Sequence, residues 1–167
     1  DGRILYVSPA VKRILGYEPD ETVGKYSKDF LRTSDYELIS NAIDAAWNEG
    51  KDEFSVEHKM VCKDGTDIWT ETCGVFFLGA SNEIVEIHCS VRNIDDRKKT
   101  EEQLVSVMDA IENMSVPVFW LNQEGRFLYV NKSACASLGY TVEEFQSLTI
   151  ENIDPCFTVE RWKTEWS

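Results

Sequence analysis

Hydrophobic and polar positions alternate over the middle of the chain, which is the pattern of half-buried β-strands. The predicted strands are residues 54–63, 66–78 and 84–92. Asp64 and Gly65 separate the first two strands, and this dipeptide favours a two-residue hairpin turn. Such a turn sets Met60 opposite Trp69. We therefore predict an antiparallel sheet of three strands in the middle of the chain.

Apolar residues at helical spacing predict helices on both sides of this sheet. Short helices are predicted after Ser8 and at Pro19, where a proline stands at the first helical position. Other predicted helices are residues 35–47, 95–112 and 158–166, and other short strands are residues 3–7, 116–121 and 127–130. Within 95–112, a 4,3 spacing typical of a coiled-coil seam is shown by Leu104, Met108 and Ile111.

The sequence nearly repeats itself at an offset of 123 residues. Residues 1–8, DGRILYVS, return as residues 124–131, EGRFLYVN, and the LGY of residues 15–17 returns at 138–140. A shared offset across a variable gap indicates duplication. We therefore expect an excerpt of a tandem array whose second unit is incomplete. The predicted parts are a first domain at 1–94, a linking helix at 95–113 and the start of a second domain at 114–167.

Composition and charge narrow the classes of partner. The chain is 43% apolar and 28% charged, as in globular proteins. Its net charge of −13 disfavours nucleic acid and anionic membrane surfaces, both of which attract basic proteins. No apolar run of membrane-spanning length occurs in the sequence. We expect a cytoplasmic segment, and a membrane anchor elsewhere in the parent protein stays open.

Motifs for metal binding and catalysis are missing from the sequence. The five cysteines show no C-x-x-C spacing, so neither a disulfide framework nor a zinc site is indicated. We expect reduced, mostly buried thiols. No G-x-S-x-G, Walker loop or H-E-x-x-H occurs. The segment itself is therefore expected to be non-catalytic.

Three groups of residues resemble motifs of the PAS family. Gly2, the LYVS of residues 5–8 and the LGY of residues 15–17 are similar to its N-terminal motif. Similarity to its C-terminal PAC motif lies in Glu57, Lys59, the KDG of 63–65, Trp69 and Glu71. Residues 93–104, NIDDRKKTEEQL, are similar to the family's D-I-T-E-R-K junction. The resemblance implies an α+β fold with a five-stranded antiparallel sheet, helices on one face, an exit helix and a truncated second domain. The first unit would lack its leading strand.

The resemblance also implies roles for individual residues. The implied ligand contacts are Lys59, Thr70, Thr72, Phe30 and Ser90. The implied signal junction is Trp69, Glu71, Asn93, Ile94 and Asp95. Periodicity would bury the face of His58 and Trp69, whereas the resemblance places the face of Thr70 and Thr72 toward the cavity. Asn93 stands where the family usually has Asp, so the tie between last strand and exit helix is expected to be weaker.

The resemblance leaves the cofactor unknown. Haem-binding members commonly use a histidine on the long helix, and residues 35–47 contain none. Light-sensing flavin members carry N-C-R-F-L-Q, whereas residues 27–32 read SKDFLR, with Lys28 in place of the reactive cysteine. Haem held by a helix histidine and cysteinyl-flavin photochemistry are therefore disfavoured. The two histidines, His58 and His88, fall in predicted strands, where a structural role is favoured.

Together these features predict a sensory input module of a multidomain signalling protein. The leading interpretation is a bacterial or archaeal sensor histidine kinase. Expected partners are a second copy through the exit helix or sheet face, an output domain of the same chain, and a small-molecule ligand. One alternative is a ligand-free module for dimerisation and spacing. Another is the input region of a diguanylate cyclase, a phosphodiesterase or a transcription regulator.

Overall fold

The computed structural model describes residues 2–158, 161, 162 and 164, which divide into two compact units, residues 1–99 and 100–167. The elements of the first unit are α1 (Ala10–Leu15), α2 (Pro19–Thr22), a 3₁₀ turn (Ser27–Phe30), α3 (Thr33–Asn48), β1 (Glu53–Val61), β2 (Asp67–Leu78) and β3 (Ile84–Asn93). Helix α4 (Asp95–Glu112) follows. The elements of the second unit are β4 (Phe119–Leu121), β5 (Phe127–Val130), α5 (Lys132–Leu138), α6 (Val142–Ser147) and α7 (Ile150–Ile153). The predicted domain boundaries at residues 94 and 113 stay predictions.

The three strands of the first unit pair antiparallel in the order β1-β2-β3. Their register differs by one residue from the predicted one, because Lys59, rather than Met60, lies opposite Trp69. The cause is a loop of three residues instead of two. Cys62 N donates to Thr66 O at 2.7 Å, Gly65 N donates to Cys62 O at 2.9 Å, and Gly65 takes a φ of +86°. These features indicate a turn extended by a glycine bulge.

The register decides which side chains share a face of the sheet. The buried, inner face carries Phe54, His58, Thr70, Thr72 and Phe76. The opposite, outer face carries Glu57, Lys59, Trp69 and Glu71. The predicted grouping of His58 with Trp69, and of Lys59 with Thr70, is therefore wrong. A shift of one residue in one strand moves each of its side chains to the other set of neighbours.

Helix α3 packs on the inner face and forms the apolar core of the first unit. Ala46 of α3 contacts Phe54 and Phe76, whose rings stack with centroids 5.7 Å apart. Gly74 lies opposite Phe54, and a Cβ there would come within 2.2 Å of the Phe54 ring. The missing side chain at Gly74 thus makes room for the aromatic pair.

The predicted strand over residues 3–7 is wrong. That segment makes one isolated β-bridge, between Arg3 and Tyr26, and Ile4 exchanges hydrogen bonds with the backbone of residues 24 and 25. The equivalent segment of the second unit, β5, is a strand because it pairs with β4. A strand requires a partner for its backbone groups along its length, and among the described residues this segment pairs with residues 24–27 only around residues 2–4.

The second unit is organised around a buried asparagine. Asn131 accepts from Ala134 N at the start of α5 and from Val118 N, and it donates to Ile111 O and Val116 O, all at 2.9–3.0 Å. Its side chain, which is 0% exposed, thereby links the end of α4, the segment that precedes β4 and the start of α5. The predicted helix over 158–166 is helical at residues 161, 162 and 164, and its other residues beyond 158 lie outside those described.

No helix among the described residues is long and apolar enough to cross a membrane.

Replacing Gly65 with alanine tests the bulge. A side chain at a φ of +86° costs about 1–2 kcal/mol, so Gly65→Ala should lower hydrogen-exchange protection of the β1 and β2 amides. Asn82→Gly is the control, because Asn82 also has a positive φ, of 62°, and glycine accepts that conformation without strain. Equal protection in Gly65→Ala and the wild type would contradict the described turn.

Candidate functional site

The inner face carries a polar cluster that the sequence did not single out. His58 is 1% exposed, and its Nε2 lies 2.7 Å from Thr72 Oγ1. Its Nδ1 lies 3.1 Å from the carbonyl oxygen of Lys59, and Thr70 Oγ1 donates to His58 O at 3.1 Å. These contacts satisfy both ring nitrogens of the buried histidine.

The partners of His58 assign its hydrogen. A carbonyl oxygen can only accept, so Nδ1 carries the hydrogen and donates to Lys59 O. Nε2 therefore holds the lone pair and accepts from the Thr72 hydroxyl. Burial lowers the pKa of His58 below 6.5, while the bond to Lys59 and the negative charge of Asp35 act in the opposite direction. His58 is accordingly a neutral group near pH 7.

The outer face meets the start of α4 around Trp69. The ammonium groups of Lys59 and Lys98 each lie 5.1 Å from the centroid of the Trp69 ring. Lys59 comes from β1 and Lys98 from the first turn of α4, so one aromatic ring contacts cations from two elements. Such contacts are worth about 0.5–1 kcal/mol each at exposed sites.

Glu57 adds ion pairs between the same two elements. Its carboxylate oxygens lie 2.6 Å from a guanidinium nitrogen of Arg97 and 2.6 Å from Lys98 Nζ. Hydrogen bonds from Lys98 and Arg97 lower the pKa of Glu57 to about 2. Helix α4 follows β3, and β1 lies at the opposite edge of the sheet, beyond β2. The Glu57 carboxylate therefore links α4 to the strand farthest from β3.

The backbone joins sheet and helix directly. Ile94 N donates to Trp69 O at 2.9 Å, and Trp69 N donates to Asp95 Oδ1 at 3.2 Å. Asp95 also pairs with Lys99 at 2.6 Å, and these partners lower its pKa. Asn93 Oδ1 accepts from Asp95 N at 2.8 Å. Asp95 thus supplies a charge-assisted bond to the sheet while Asn93 caps the turn, and the expected weakening of this junction stays a prediction.

The structure separates the residues implied as ligand contacts. Thr70 and Thr72 lie buried on the inner face. Lys59 lies on the outer face, so its predicted place beside the threonines is wrong; the cause is again the one-residue register difference. Ser90 also lies on the outer face, opposite Cys73. Phe30 is buried elsewhere in the first unit, edge-on to Tyr17 with centroids 5.0 Å apart.

The junction residues do come together, and the site also includes residues that the sequence did not single out. Glu71, for example, pairs with Arg92 on the outer face. The additional residues are His58, Asp35, Arg97 and Lys98. The signal that could have identified His58 is strand alternation in the correct register, since it then shares a face with Thr70 and Thr72.

The cysteines differ from expectation. Cys73, Cys89 and Cys156 are exposed, and Cys62 and Cys135 are half-buried, so the prediction of mostly buried thiols is wrong. Of the exposed thiols of the first unit, Cys89 lies on the inner face opposite Gly74, and Cys73 lies on the outer face opposite Ser55 and Ser90. In the part of the chain that the structure describes, no three His, Cys, Asp or Glu side chains form a group that could hold a metal ion.

The surface of the described residues has recesses at the junction and in the second unit. One, of about 470 Å³, lies at the junction and is lined by residues 92–97. The other, of about 280 Å³, lies in the second unit among apolar side chains that include Phe119, Leu121 and Ile153. The junction thus offers polar groups to a ligand, and the second unit offers apolar side chains.

Comparison with known proteins identifies relatives for both units. A family profile described as PAS fold matches residues 4–91, and one described as PAS domain matches residues 106–166. The aryl hydrocarbon receptor nuclear translocator homolog of Drosophila melanogaster is 29% identical over 86 residues. That match covers 52% of this chain and 13% of the relative, so the chain spans only a small part of that protein.

Solved structures agree on the fold. The PAS domain of a protein from Colwellia psychrerythraea is 23% identical with a TM-score of 0.52, covering 57% of this chain and 80% of that one. A sensory box histidine kinase/response regulator from Burkholderia thailandensis is 22% identical with a TM-score of 0.54, covering 65% and 82%. The predicted α+β fold class is thereby confirmed, with three of its strands in the described residues of the first unit.

Removal of the Glu57 charge should weaken the first unit in a pH-dependent way. The folded-state pKa of Glu57 is lowered from 4.5 to about 2, so its stabilisation is fully present above pH 4.5 and is lost as the pH falls toward 2. Glu57→Gln should therefore lower the Tm at pH 7, and the difference from wild type should shrink through that window. Glu53→Gln, the same change at the exposed start of β1, is the control. A Tm difference that does not depend on pH would contradict this role.

Proposed function

This chain belongs to the PAS family of signal-sensing domains, and we propose that it is the input segment of a multidomain signalling protein. In that role, a change in the structure of its first sheet is passed on to α4. The observation that carries the proposal is the density of bonds between sheet and helix. Within six residues, from Ile94 to Lys99, α4 and its lead-in bond to Trp69 and Glu57 through backbone and side chains. A change in the strands therefore moves the start of the helix.

We propose a sensor histidine kinase as the parent protein. The similarity in fold to the Burkholderia histidine kinase/response regulator supports this parent, and the similarity in sequence to the Drosophila nuclear translocator homolog supports a transcription regulator as the alternative. A cyclase or phosphodiesterase parent stays a further alternative. The cytoplasmic location and the lack of a nucleic-acid partner remain predictions from the net charge of −13.

We propose the inner face as the place where a small molecule acts. Thr70 and Thr72 offer hydroxyl groups there, next to the imidazole of His58. A ligand that bound these groups would compete with bonds inside the sheet, and its effect would depend on different affinities for two states of the junction. The ligand's identity stays open, and haem on a helix histidine and a cysteinyl flavin remain disfavoured.

A second candidate function is dimerisation through α4. Leu104 is 61% exposed and Met108 is 36% exposed, and with the half-buried Ile111 they form the predicted seam on one side of the helix. Apolar residues at this spacing are typical of coiled coils between two copies. A dimer without a bound ligand would then serve as a spacer.

Asp95→Asn tests the signalling proposal. The amide keeps an oxygen for Trp69 N but loses the charge and the pair with Lys99, and charge-assisted bonds are about twice as strong as neutral ones. We expect exchange of the first-turn amides of α4 to rise roughly two- to tenfold, with a changed autophosphorylation rate in the full-length parent. Asp109→Asn, the same change near the other end of α4, is the control. Faster exchange with unchanged output would contradict signalling through α4.

Leu104→Glu tests the dimer. A charge in an apolar seam is costly to bury, so the dimer fraction in native mass spectrometry should fall roughly tenfold at equal concentration. Ser106→Glu, on the other side of α4, should leave it unchanged. The same spectra report any small molecule retained by the protein, which supports the sensor function. A wild-type chain that is monomeric throughout would rule out the seam.

A further inference from the structure

Three consecutive residues of β1 connect the interior of the first unit to its helix. Successive side chains of a strand point to opposite faces. Glu57 and Lys59 point outward, where Glu57 binds Arg97 and Lys98 and where Lys59 shares the Trp69 ring with Lys98. His58 points inward between them and is 1% exposed. Glu57, which binds α4, and Lys59, which contacts the Trp69 ring beside it, are thus the immediate neighbours of a buried titratable group.

The backbone of Lys59 bonds to two side chains. Its N donates to Asp35 Oδ1 at 2.8 Å, and its O accepts from His58 Nδ1. Across the ladder it lies opposite Trp69, whose own N and O bond to Asp95 and Ile94. The position of Lys59 therefore depends on the imidazole on the inner face, and on the outer face its ammonium group contacts the ring of Trp69, whose backbone bonds to the start of α4.

We propose that His58 is a positioning residue whose protonation state sets how firmly β1 holds the start of α4. Neutral His58 keeps residues 57–59 in the conformation in which Glu57 binds the start of α4. Protonated His58 favours a conformation in which these contacts are broken. The inference rests on the proposed function, in which α4 carries the signal. It makes protonation of His58 a second signal that acts on the junction between the first sheet and α4.

Protonation acts through the Thr72 bond. The Nε2 lone pair takes a proton from solvent and becomes a donor, so the Thr72 hydroxyl must turn its own hydrogen away and accept instead. The ring then carries a positive charge in a buried site, where burial lowers the pKa of His58. A conformation that lets water reach the ring binds the proton at the ordinary pKa near 6.5. Acid below that value therefore favours the released conformation.

The charge of Asp35, close to His58, opposes this direction, and burial outweighs it. From α3, the carboxylate of Asp35 raises the pKa of His58. From β2, Thr70 and Thr72 contribute hydroxyls, and the β3 residues opposite them, Asn93 and Val91, carry no titratable group. On β1 itself Glu57 and Lys59 lie on the other face. Asp35 is thus the charge that can be removed to shift the response.

The experiment measures amide hydrogen exchange of residues 95–103 in the full 167-residue chain between pH 7.5 and 5, divided by the intrinsic rate at each pH. In the wild type this ratio should rise by roughly five- to tenfold as the pH falls. His58→Gln should abolish the rise. His88→Gln is the matched control, because His88 is exposed on the outer face and pairs with Glu86. An equal rise in His58→Gln, or a flat wild type, would overturn the inference.

Asp35→Asn keeps the inference testable if His58→Gln does not fold. The amide oxygen still accepts from Lys59 N, but the charge that raises the pKa of His58 is gone. The midpoint of the α4 response should move to lower pH together with the His58 midpoint seen by NMR of the imidazole. Midpoints that move apart would overturn the inference.

The two proposals fail separately. Changed output in Asp95→Asn together with a pH-independent α4 rejects only the role of His58. A pH-responsive α4 together with unchanged output in Asp95→Asn rejects only the signalling function.

Discussion

Gly65 takes a φ of +86° and adds a third residue to the loop between β1 and β2, so the strands pair with Lys59 opposite Trp69. Every later feature of the first unit depends on this register. It places Gly74 opposite Phe54, which leaves room for the core ring pair, and it places His58 beside Thr72. A hairpin one residue shorter would exchange these neighbours, because side chains alternate across a strand.

The same register gives the two faces of the sheet different kinds of contact. On the inner face, contacts are few, buried and fully hydrogen-bonded, so disturbing one of them is costly. On the outer face, the ion pairs of Glu57 and the cations beside Trp69 are exposed and individually weak. Because the contacts at the start of α4 are individually weak, they suit a junction at which the helix must separate from the sheet as well as bind to it.

The two units show how context decides the structure of nearly identical segments. Residues 127–130 form β5 because β4 supplies the partner backbone, whereas residues 4–7 make only the local bonds of Ile4. Asn131 adds four buried hydrogen bonds in the second unit, where Ser8 stands at the equivalent position of the first. Local propensity is the same in both copies, and the difference lies in what each segment can pair with.

The sequence by itself predicted the three-stranded sheet and the bounds of α4, because periodicity and turn residues are local signals, and its duplicated motifs resembled those of the family. It also placed Trp69, Glu71, Ile94 and Asp95 at the junction. Only the tertiary structure decided that His58, rather than Lys59, faces Thr72, and that Asp95 provides the bond to the sheet expected of residue 93. The reason is that a single bulge residue, which has no signature beyond Asp-Gly, sets the register. Which side chains then meet is a property of paired strands and not of either strand alone.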